Sequence, residues 1–237
     1  MLVLGLPAFG QRPVPDGLVS VATEAAQKRY NDSFVGHPQL YNGPEYVDYT
    51  QRFHARTGHQ FFLTPEKQPG SVYYNDHYFP NLRLAYDVVR DQVVLPQPTS
   101  PLTLRLINEQ VRSFSLDGHR FIRLAADSSG GGVIRTGYYE VLVDNRVQVL
   151  ARRAKRMQER VNQNFVDVEF TSTDKLFIKK AGVYYPISRK GAVVRLFSDR
   201  SKEVQQFLQE QKLNFNGAQF DASVVQLALY YGSLPPQ

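Results

Sequence analysis

Apolar and polar residues alternate along much of the chain between residues 70 and 153. The alternation is clearest in residues 82–88, 102–106 and 139–151. A period of two places successive side chains on opposite faces of a β-strand, so that one face is buried while the other meets water. The pattern therefore predicts a series of short strands, to which the segments on either side are attached.

Short polar dipeptides interrupt the alternating segments and predict tight turns. Asparagine, aspartate and glycine tolerate the positive φ angles that hairpin turns require. The dipeptides are Asn75-Asp76, Arg90-Asp91, Asn108-Glu109, Asp117-Gly118 and Asp144-Asn145. Gaps this short join antiparallel neighbours, because a parallel crossover needs about a dozen residues or more. The sequence therefore predicts an antiparallel meander, closed into a barrel or folded as a sandwich, and disfavours a parallel nucleotide-binding fold.

The pattern changes in the last third of the chain. Three further strands are predicted between residues 166 and 187, with helices after them. Apolar side chains between Val204 and Leu208 follow the i, i+3, i+4 spacing of an amphipathic helix, and Asp221 is predicted to cap a last helix. The sheet is the simplest cover for an apolar helical face, and a partner groove is the alternative. The predicted fold class is α+β, mainly β: an antiparallel meander, barrel-like or sandwich, with a C-terminal helical segment packed on it.

The pattern divides the chain into four parts. Residues 1–10 are predicted to be a signal-peptide remnant, and residues 11–69 predict a short helix followed by a strap rich in Tyr, Gly and Pro. Residues 70–160 are the predicted meander, and residues 161–237 predict a β-hairpin and C-terminal helices. With 237 residues, 42% of them hydrophobic, the chain is long enough to bury a core without metals or disulfides.

Cysteine is absent from the sequence, and the net charge is +6 with a pI near 9.4. The absence of cysteine excludes disulfides, thiol catalysis, thiolate metal sites and a lipoprotein anchor. The apolar runs are too short for a membrane-spanning helix, so no membrane span is expected. A basic protein favours anionic partners, here lipid headgroups or acidic glycans.

Residues 1–11 predict export. Their apolar run is followed by Pro7 and then by small residues at Ala8 and Gly10, which have the −3 and −1 spacing that a signal peptidase reads. The basic segment that normally precedes such a run is missing, so a start codon placed too late and a short leader without a targeting role are both alternatives. The resulting prediction is a periplasmic or secreted protein with a signal peptide.

Two groups of side chains are candidate binding residues. Tyrosines near residues 40–49 combine a ring that packs on a sheet with a hydroxyl that reaches water or a ligand. Arginines after residue 150 form the densest basic cluster, which suits an envelope protein or an anionic lipid or glycan. The candidates are Tyr41, Tyr46, Tyr49, Arg152, Arg153 and Arg156. The alternatives are a purely structural strap over an open sheet edge and a solvated basic surface.

Motifs for catalysis, metals or cofactors do not occur in the sequence. Glycine-rich residues 127–132 lack the strand-then-helix context of a phosphate loop. Ser115, Asp117 and His119 supply three triad residue types, but they lie within one hairpin, where their side chains point in different directions. The five histidines match no metal-site spacing. The prediction is therefore no catalytic residue, no metal and no cofactor, and the lack of a nucleic-acid motif argues against that partner class.

Several short motifs occur in an order that resembles a known family. They are residues 40–46, 70–74, 84–87, 91–95, 137–142, 149–153, 184–187 and 212–215. Together they are similar to a family of exported, uncharacterised proteins of Bacteroidota, and the resemblance covers most of the chain after about residue 30. It implies export to the cell envelope. It brings no established activity and no catalytic residues.

Two functional hypotheses follow. The first is an exported cell-envelope protein of unknown biochemical function that acts as a non-catalytic binding or assembly module. The alternative is an envelope-directed hydrolase that uses an unrecognised carboxylate or histidine–carboxylate pair. Asp87 and Asp91 are one candidate pair, although solvated turn residues explain them more simply. A concave pocket that holds such a pair with shifted pKa values would favour the hydrolase.

Overall fold

The computed structural model describes residues 38–126, 132–161 and 165–235. The predicted signal segment and the predicted helix at residues 18–30 lie outside the described residues. The chain separates into two compact units, Met1–Leu40 and Tyr41–Gln237, and every element named below belongs to the second. Within the described ranges, no helix is both long enough and apolar enough to cross a membrane.

Strands dominate the second unit, as the alternating pattern predicts. They are β1 (Arg56–Thr57), β2 (Gln68–Tyr74), β3 (His77–Asp87), β4 (Gln92–Pro96), β5 (Thr103–Arg105), β6 (Val111–Leu116), β7 (His119–Leu124), β8 (Gly137–Asp144), β9 (Gln148–Arg152), β10 (Lys155–Val161), β11 (Val166–Ser172), β12 (Lys175–Lys180) and β13 (Val183–Ile187). The helices follow as α1 (Lys190–Leu196), α2 (Ser201–Glu210) and α3 (Phe220–Ser233). Short 3-10 turns lie at Tyr49–Arg52, Asn108–Gln110, Ser198–Arg200 and Gly217–Gln219.

Ten strands form one antiparallel sheet in the order β13-β12-β9-β8-β7-β6-β2-β3-β4-β5. The sheet is open, because β13 and β5 lie at its two ends and do not pair with each other. Asn75, Asp91 and Asp117 adopt positive φ angles at the predicted turns. The structure therefore confirms a mainly β fold with an antiparallel sheet, and the closed barrel is the version that does not form.

A smaller sheet has the order β1-β11-β10. β10 and β11 pair antiparallel along their whole length, and β1 joins β11 in parallel at Arg56 and Val168. The chain then returns to the large sheet, where β12 pairs with β9. The chain thus leaves the large sheet after β9 and re-enters it at β12, and the two crossing points lie side by side.

The C-terminal helices cover one face of the large sheet, which confirms the predicted packing. Buried side chains of β9 and β12, such as Val149 and Ile178, form one hydrophobic cluster with Phe197, Val204 and Leu227 of the helical region. Phe197 also stacks on the ring of Tyr231, with ring centres 4.2 Å apart. Burial of these apolar side chains holds the helices on the sheet.

The predicted cap of the last helix is wrong. α3 begins at Phe220, so Asp221 lies inside its first turn, and no side chain caps the helix. The carboxylate of Asp221 instead accepts a hydrogen bond from Arg153 at 2.8 Å. The carboxylate of Asp221 is therefore held by a charged partner that lies between β9 and β10.

Candidate functional site

The tyrosine strap, residues 41–52, runs beside β5. The backbone N–H of Tyr46 donates to the carbonyl of Thr103 at 2.7 Å, and that of Arg105 donates to the carbonyl of Pro44 at 3.0 Å. β5 is the last strand at its end of the sheet. The strap therefore occupies hydrogen-bonding groups of a strand that would otherwise be an open edge.

Asp87 anchors the strap from inside. Its buried carboxylate accepts hydrogen bonds from the hydroxyls of Tyr46, at 2.8 Å, and Tyr49, at 3.3 Å. The backbone N–H groups of Val89 and Arg90 donate to the same carboxylate at 2.9 and 3.0 Å. Burial raises the pKa of Asp87, and these four donors act against the rise. Both tyrosine hydroxyls thus point inward and hold the strap on the sheet.

The basic cleft lies where β9 ends and β10 begins, and its volume is about 260 Å³. Its walls include the apolar side chains of Val89, Tyr139 and Phe177. The charged residues that line it are Arg135, Arg152, Arg153, Lys155, Lys175 and Asp91. Positive charge thus dominates a concave surface that is apolar between the charges.

The junction between the two sheets brings these cations together. Arg152 closes β9 and lies opposite Lys175 on β12. The backbone N–H of Ala154 donates to the Asp174 carboxylate at 3.0 Å, and that of Thr173 donates to the Ala154 carbonyl at 2.8 Å. These bonds hold the β9–β10 junction against the β11–β12 turn, so cations from both segments reach one cleft.

Arg153 is neutralised by three carboxylates. It donates to Glu140 at 2.6 Å, to Asp174 at 2.9 Å and to Asp221 at 2.8 Å. The side chain of Glu140 is only 3% exposed. Burial acts to lower the pKa of Arg153, but Glu140 and the two aspartates outweigh it and raise the pKa. Arg153 therefore ties β8, the β11–β12 turn and α3 together, and its charge is already compensated.

Lys155 also has a structural task. Its ammonium donates to the backbone carbonyls of His59, at 2.9 Å, and Phe61, at 2.6 Å. Burial lowers its pKa, and Asp174 and Asp87 act in the opposite direction. The lysine thus fastens the segment before β2 to the wall of the cleft, and the third ammonium hydrogen is left to donate elsewhere.

Three cations of the cleft are not compensated in this way. Within the described ranges, Arg135, Arg152 and Lys175 form no ion pair with a carboxylate. The Arg152 guanidinium lies 5.9 Å from the centre of the Tyr139 ring, a cation–π arrangement that leaves its N–H donors unused. Arg135 and Lys175 are exposed at the rim. These three side chains carry the positive charge that an anionic ligand would meet.

Asp91 supplies the one negative charge among the described residues that line the cleft. Its Oδ1 accepts hydrogen bonds from the Tyr86 hydroxyl at 2.5 Å and from the backbone N–H of Tyr138 at 3.4 Å. Its Oδ2 lies against Gly137, so close that a Cβ on that residue would collide with it. Gly137 has φ of +151°, a conformation that favours glycine. Burial raises the pKa of Asp91, and Tyr86 and Arg152 act against the rise.

The structure brings together only part of the predicted binding set. Arg152 and Arg153 both line the basic cleft. Arg156 is exposed on β10, where alternation turns it away from the face that carries Lys155. Tyr46 and Tyr49 lie in the strap, and Tyr41 is half-buried, with a pKa raised by burial. The tyrosine and arginine candidates thus belong to two different places.

Sequence reasoning missed Arg135, Lys175 and the role of Asp91. Arg135 follows the glycine-rich segment and looks like any exposed loop arginine, and Lys175 opens a strand. The sequence predicts a solvated turn at Asp91, and the structure instead places this residue half-buried in the cleft wall. The basic run that includes Arg152 and Arg153 is visible in the sequence, but it gives no signal for Arg135, Lys175 or Asp91, which come from other segments.

His119 lines an adjoining cavity of about 380 Å³, which shares Arg153 and Lys155 with the basic cleft, and it pairs with a carboxylate behind the cavity wall. His119 Nδ1 lies 2.5 Å from Oε1 of the buried Glu140. Ser115 takes no part, because its hydroxyl pairs with that of Ser71 at 2.7 Å. The local triad types therefore do not assemble, and the partner of His119 comes from a neighbouring strand.

Metal-binding geometry is not formed by the part of the chain that the structure describes: no group of three or more His, Cys, Asp or Glu side chains there is placed to hold an ion. His54 instead stacks on Phe165, with ring centres 4.6 Å apart. The basic cleft contains a single carboxylate among its described lining residues, so the two-carboxylate arrangement of a glycosidase is not present there.

Comparisons with known proteins leave the site to be interpreted from its own geometry. No family model, no curated protein and no solved structure matches the chain at a significant level. The similarity to exported proteins of Bacteroidota therefore stays a prediction from the sequence motifs.

Proposed function

We propose that this protein is an exported cell-envelope protein that binds a small anionic ligand in the basic cleft and does not act as an enzyme. The observation that carries the proposal is the set of cations without carboxylate partners among the described residues: Arg135, Arg152 and Lys175 around one concave surface. Like charges repel at short range, so holding three of them together costs stability unless an anion offsets the repulsion.

The shape of the site favours a small ligand over a flat membrane surface. A volume of about 260 Å³ is available, with Tyr139 and Phe177 as apolar walls. Small-ligand sites combine a concave apolar lining with a few placed polar groups. A lipid bilayer would instead contact an exposed basic face, and the half-buried Arg152 does not offer one. Of the predicted partner classes, an acidic glycan or another small acid therefore suits this site better than a headgroup layer.

The export part of the proposal rests on the sequence. Its support is the apolar segment with small residues at Ala8 and Gly10, together with the family resemblance. Residues 1–11 lie outside the described residues. Fractionation of cells that express the native gene tests this part: we expect the protein in the periplasm or medium with residues 1–10 removed. Recovery of the full chain from the cytosol alone would contradict it.

Calorimetric titration with acetate, sulfate and phosphate tests the binding part. At about 10 mM ionic strength, where the Debye length is about 30 Å, we expect saturable binding. Arg152→Gln should weaken it by about tenfold or more, equivalent to about 1.4 kcal/mol. Arg156→Gln is the matched control, because it removes the same charge outside the cleft, and it should change the affinity less than about twofold. Absence of saturable binding, or equal losses in both variants, would refute the proposal.

The alternative, an envelope-directed hydrolase, is favoured by one observation, the His119–Glu140 pair beside the cleft. A buried carboxylate that orients a half-exposed histidine is the arrangement of a general base. The wild-type protein and a His119→Ala variant should be assayed on carboxylic esters and glycosides. Turnover that the variant loses would establish the hydrolase and overturn the non-catalytic assignment, and no turnover in either protein supports the binding function.

A further inference from the structure

Asp91 is the residue of the cleft that simple anion binding does not explain. A carboxylate beside the anion site repels an anionic ligand and lowers its affinity. Its Oδ1 is occupied by the Tyr86 hydroxyl and the Tyr138 N–H, whereas its Oδ2 accepts no hydrogen bond from the described residues. An ionised carboxylate oxygen is an acceptor only. A ligand that sits beside Oδ2 must therefore bring a hydrogen-bond donor.

Asp91 and Arg152 lie next to each other without forming an ion pair. Both approach Gly137: a Cβ there would contact Asp91 Oδ2, and it would lie 3.3 Å from Arg152 Nη2. The two side chains nevertheless make no direct salt bridge within the described part of the chain. One end of the cleft thus presents a donor group and an acceptor group side by side, both with free hydrogen-bonding positions.

This arrangement matches a ligand that has an acid and a hydroxyl on neighbouring carbons. The guanidinium of Arg152 presents a planar fork that pairs with a carboxylate, and the adjacent Asp91 accepts from the hydroxyl. The apolar side chains of Val89, Tyr139 and Phe177 line the space between these groups and the rim. Carbon-bound hydrogens of a sugar ring are suited to such a wall, because their burial costs no hydrogen bond.

The size of the cleft limits the ligand to about one ring. Its volume of about 260 Å³ lies just below the range of roughly 300–1,000 Å³ that is typical of pockets for drug-sized molecules. Lys175 and Arg135 stand at the exposed rim, where a second acidic unit would pass them. A chain of acidic units therefore enters by its end, with one unit inside.

We infer that the ligand of the basic cleft is a hexuronic acid unit, with its carboxylate on Arg152 and a ring hydroxyl on Asp91. The inference rests on the proposed binding function and names the ligand class for the same site. A neutral sugar lacks the group for Arg152, and a simple anion lacks the group for Asp91. Only a compound with both groups uses both side chains.

Titration with three probes separates these possibilities. Galacturonate should bind at least about tenfold more tightly than acetate or galactose, a difference of about 1.4 kcal/mol. Asp91→Asn should remove most of the advantage of galacturonate over acetate and leave acetate binding unchanged or slightly stronger, because the repulsion is gone. Arg152→Gln should weaken both acids alike.

The outcomes distinguish the inference from the proposed function. If acetate and galacturonate bind equally to the wild-type protein, the inference is wrong and anion binding stands. If neither binds, the proposed function fails as well. The methyl ester of galacturonate provides a test that needs no variant: it keeps every ring hydroxyl, and we expect a loss of about tenfold or more, equivalent to about 1.4 kcal/mol. An ester that binds as well as the acid would refute the contact with Arg152.

A second titration identifies the source of the uronic acid. Trigalacturonate and free galacturonate contain the same unit, and either one binding more tightly than acetate supports the inference. Tighter binding of the trimer assigns the site to the end of a glycan chain, because Lys175 and Arg135 then contact further carboxylates. Charge-reversing Lys175→Glu should weaken binding of the trimer by a larger factor than binding of the monomer, because only the trimer places a further carboxylate beside residue 175. Equal losses for the two ligands would contradict the contact at the rim.

Discussion

Asp87 ends β3 and Asp91 lies in the short turn that leads to β4, yet their surroundings differ. Asp87 is buried and its carboxylate accepts four hydrogen bonds, two from the strap and two from its own backbone segment. Asp91 lines the basic cleft and uses one oxygen for Tyr86 and Tyr138, whereas its other oxygen lies beside Gly137 and accepts no hydrogen bond from the described residues. Burial raises the pKa of both carboxyl groups.

The difference shows how a structural carboxylate and a binding carboxylate are told apart. A buried carboxylate that already accepts four hydrogen bonds has little capacity left for a ligand, so its removal affects folding. A group with a free, accessible acceptor position still has that capacity. The same contrast separates Arg153, which is bound to three carboxylates, from Arg152, which has none among the described residues. The number of hydrogen bonds and ion pairs that a charged side chain already makes therefore separates the structural residues from the candidate binding residues, both for the aspartates and for the arginines.

The largest expected effect is the loss of Arg153. Arg153→Met leaves the buried Glu140 without its guanidinium partner, and we expect the free energy of unfolding to fall by about 3–5 kcal/mol. Urea unfolding monitored by circular dichroism measures it. Arg152→Met is the matched control and should cost about 1 kcal/mol or less. Similar losses in the two variants would break the contrast between the compensated and the uncompensated arginine.

A double variant tests whether the loss of stability in the Arg153 variant comes from the unpaired charge of Glu140. Glu140→Gln combined with Arg153→Met removes the buried charge, so we expect the double variant to recover part of the stability that the single Arg153 variant loses. A double variant whose loss equals the two single losses added together would show that the ion pair does not couple these residues.

A smaller effect is expected for the strap anchor. Asp87→Ala leaves the hydroxyls of Tyr46 and Tyr49 and two backbone N–H groups without their acceptor. We expect a loss of about 2–4 kcal/mol in the free energy of unfolding, with anion binding in the basic cleft retained. Asp144→Ala is the control at an exposed aspartate paired with Arg120, and it should cost less than about 1 kcal/mol. Loss of anion binding in a folded Asp87→Ala protein would contradict the separation of the two sites.

The smallest effect is a decrease in the free energy of unfolding at alkaline pH. It comes from the tyrosines that are hydrogen-bonded to Asp87 and Asp91. Burial raises the pKa of Tyr46 and of Tyr86, and the neighbouring Asp87 and Asp91 raise them further. The unfolded chain ionises its tyrosines near pH 10, whereas the folded protein keeps these protons to higher pH. The stabilising contribution is therefore complete below about pH 10 and is lost as the pH rises above it, since unfolding then releases protons.

Phenylalanine variants test this linkage. Tyr46→Phe and Tyr86→Phe should each reduce the decline of stability above pH 10 by at most about 1.4 kcal/mol per pH unit. Each variant should also differ from the wild type by a constant amount below pH 9, which reflects the lost hydrogen bond to the aspartate. Urea midpoints measured between pH 7 and pH 11.5 give both quantities, and slopes parallel to that of the wild type would show that the tyrosine does not titrate differently in the two states.

Much of the fold could be predicted from local sequence patterns. The alternation in residues 82–88 and the dipeptide Asp117-Gly118 act over a few residues, and the structure has a strand and a positive-φ turn at those places. The amphipathic spacing from Val204 to Leu208 likewise lies in α2. Pairings such as β2 between β6 and β3 could not be predicted, because they depend on contacts between distant segments.

The site was less predictable for the same reason. Arg152 and Arg153 are adjacent in the sequence, and a basic run is visible there without any structure. Whether each arginine is free or neutralised depends on Glu140, Asp174 and Asp221, which come from three other segments. The same limit hid the difference between Asp87 and Asp91, since both are turn residues by their neighbours.

The sequence by itself determined the strands, most turns, the amphipathic helices and the excess of positive charge, because each of these depends on a residue and its near neighbours. The tertiary structure alone decided which charges are satisfied and which face the cleft. That decision requires distances between segments that lie tens of residues apart, and a local pattern contains no information about them. The junction between β9 and β10 forms a cleft wall only because β12 pairs with β9 there and places Lys175 opposite Arg152.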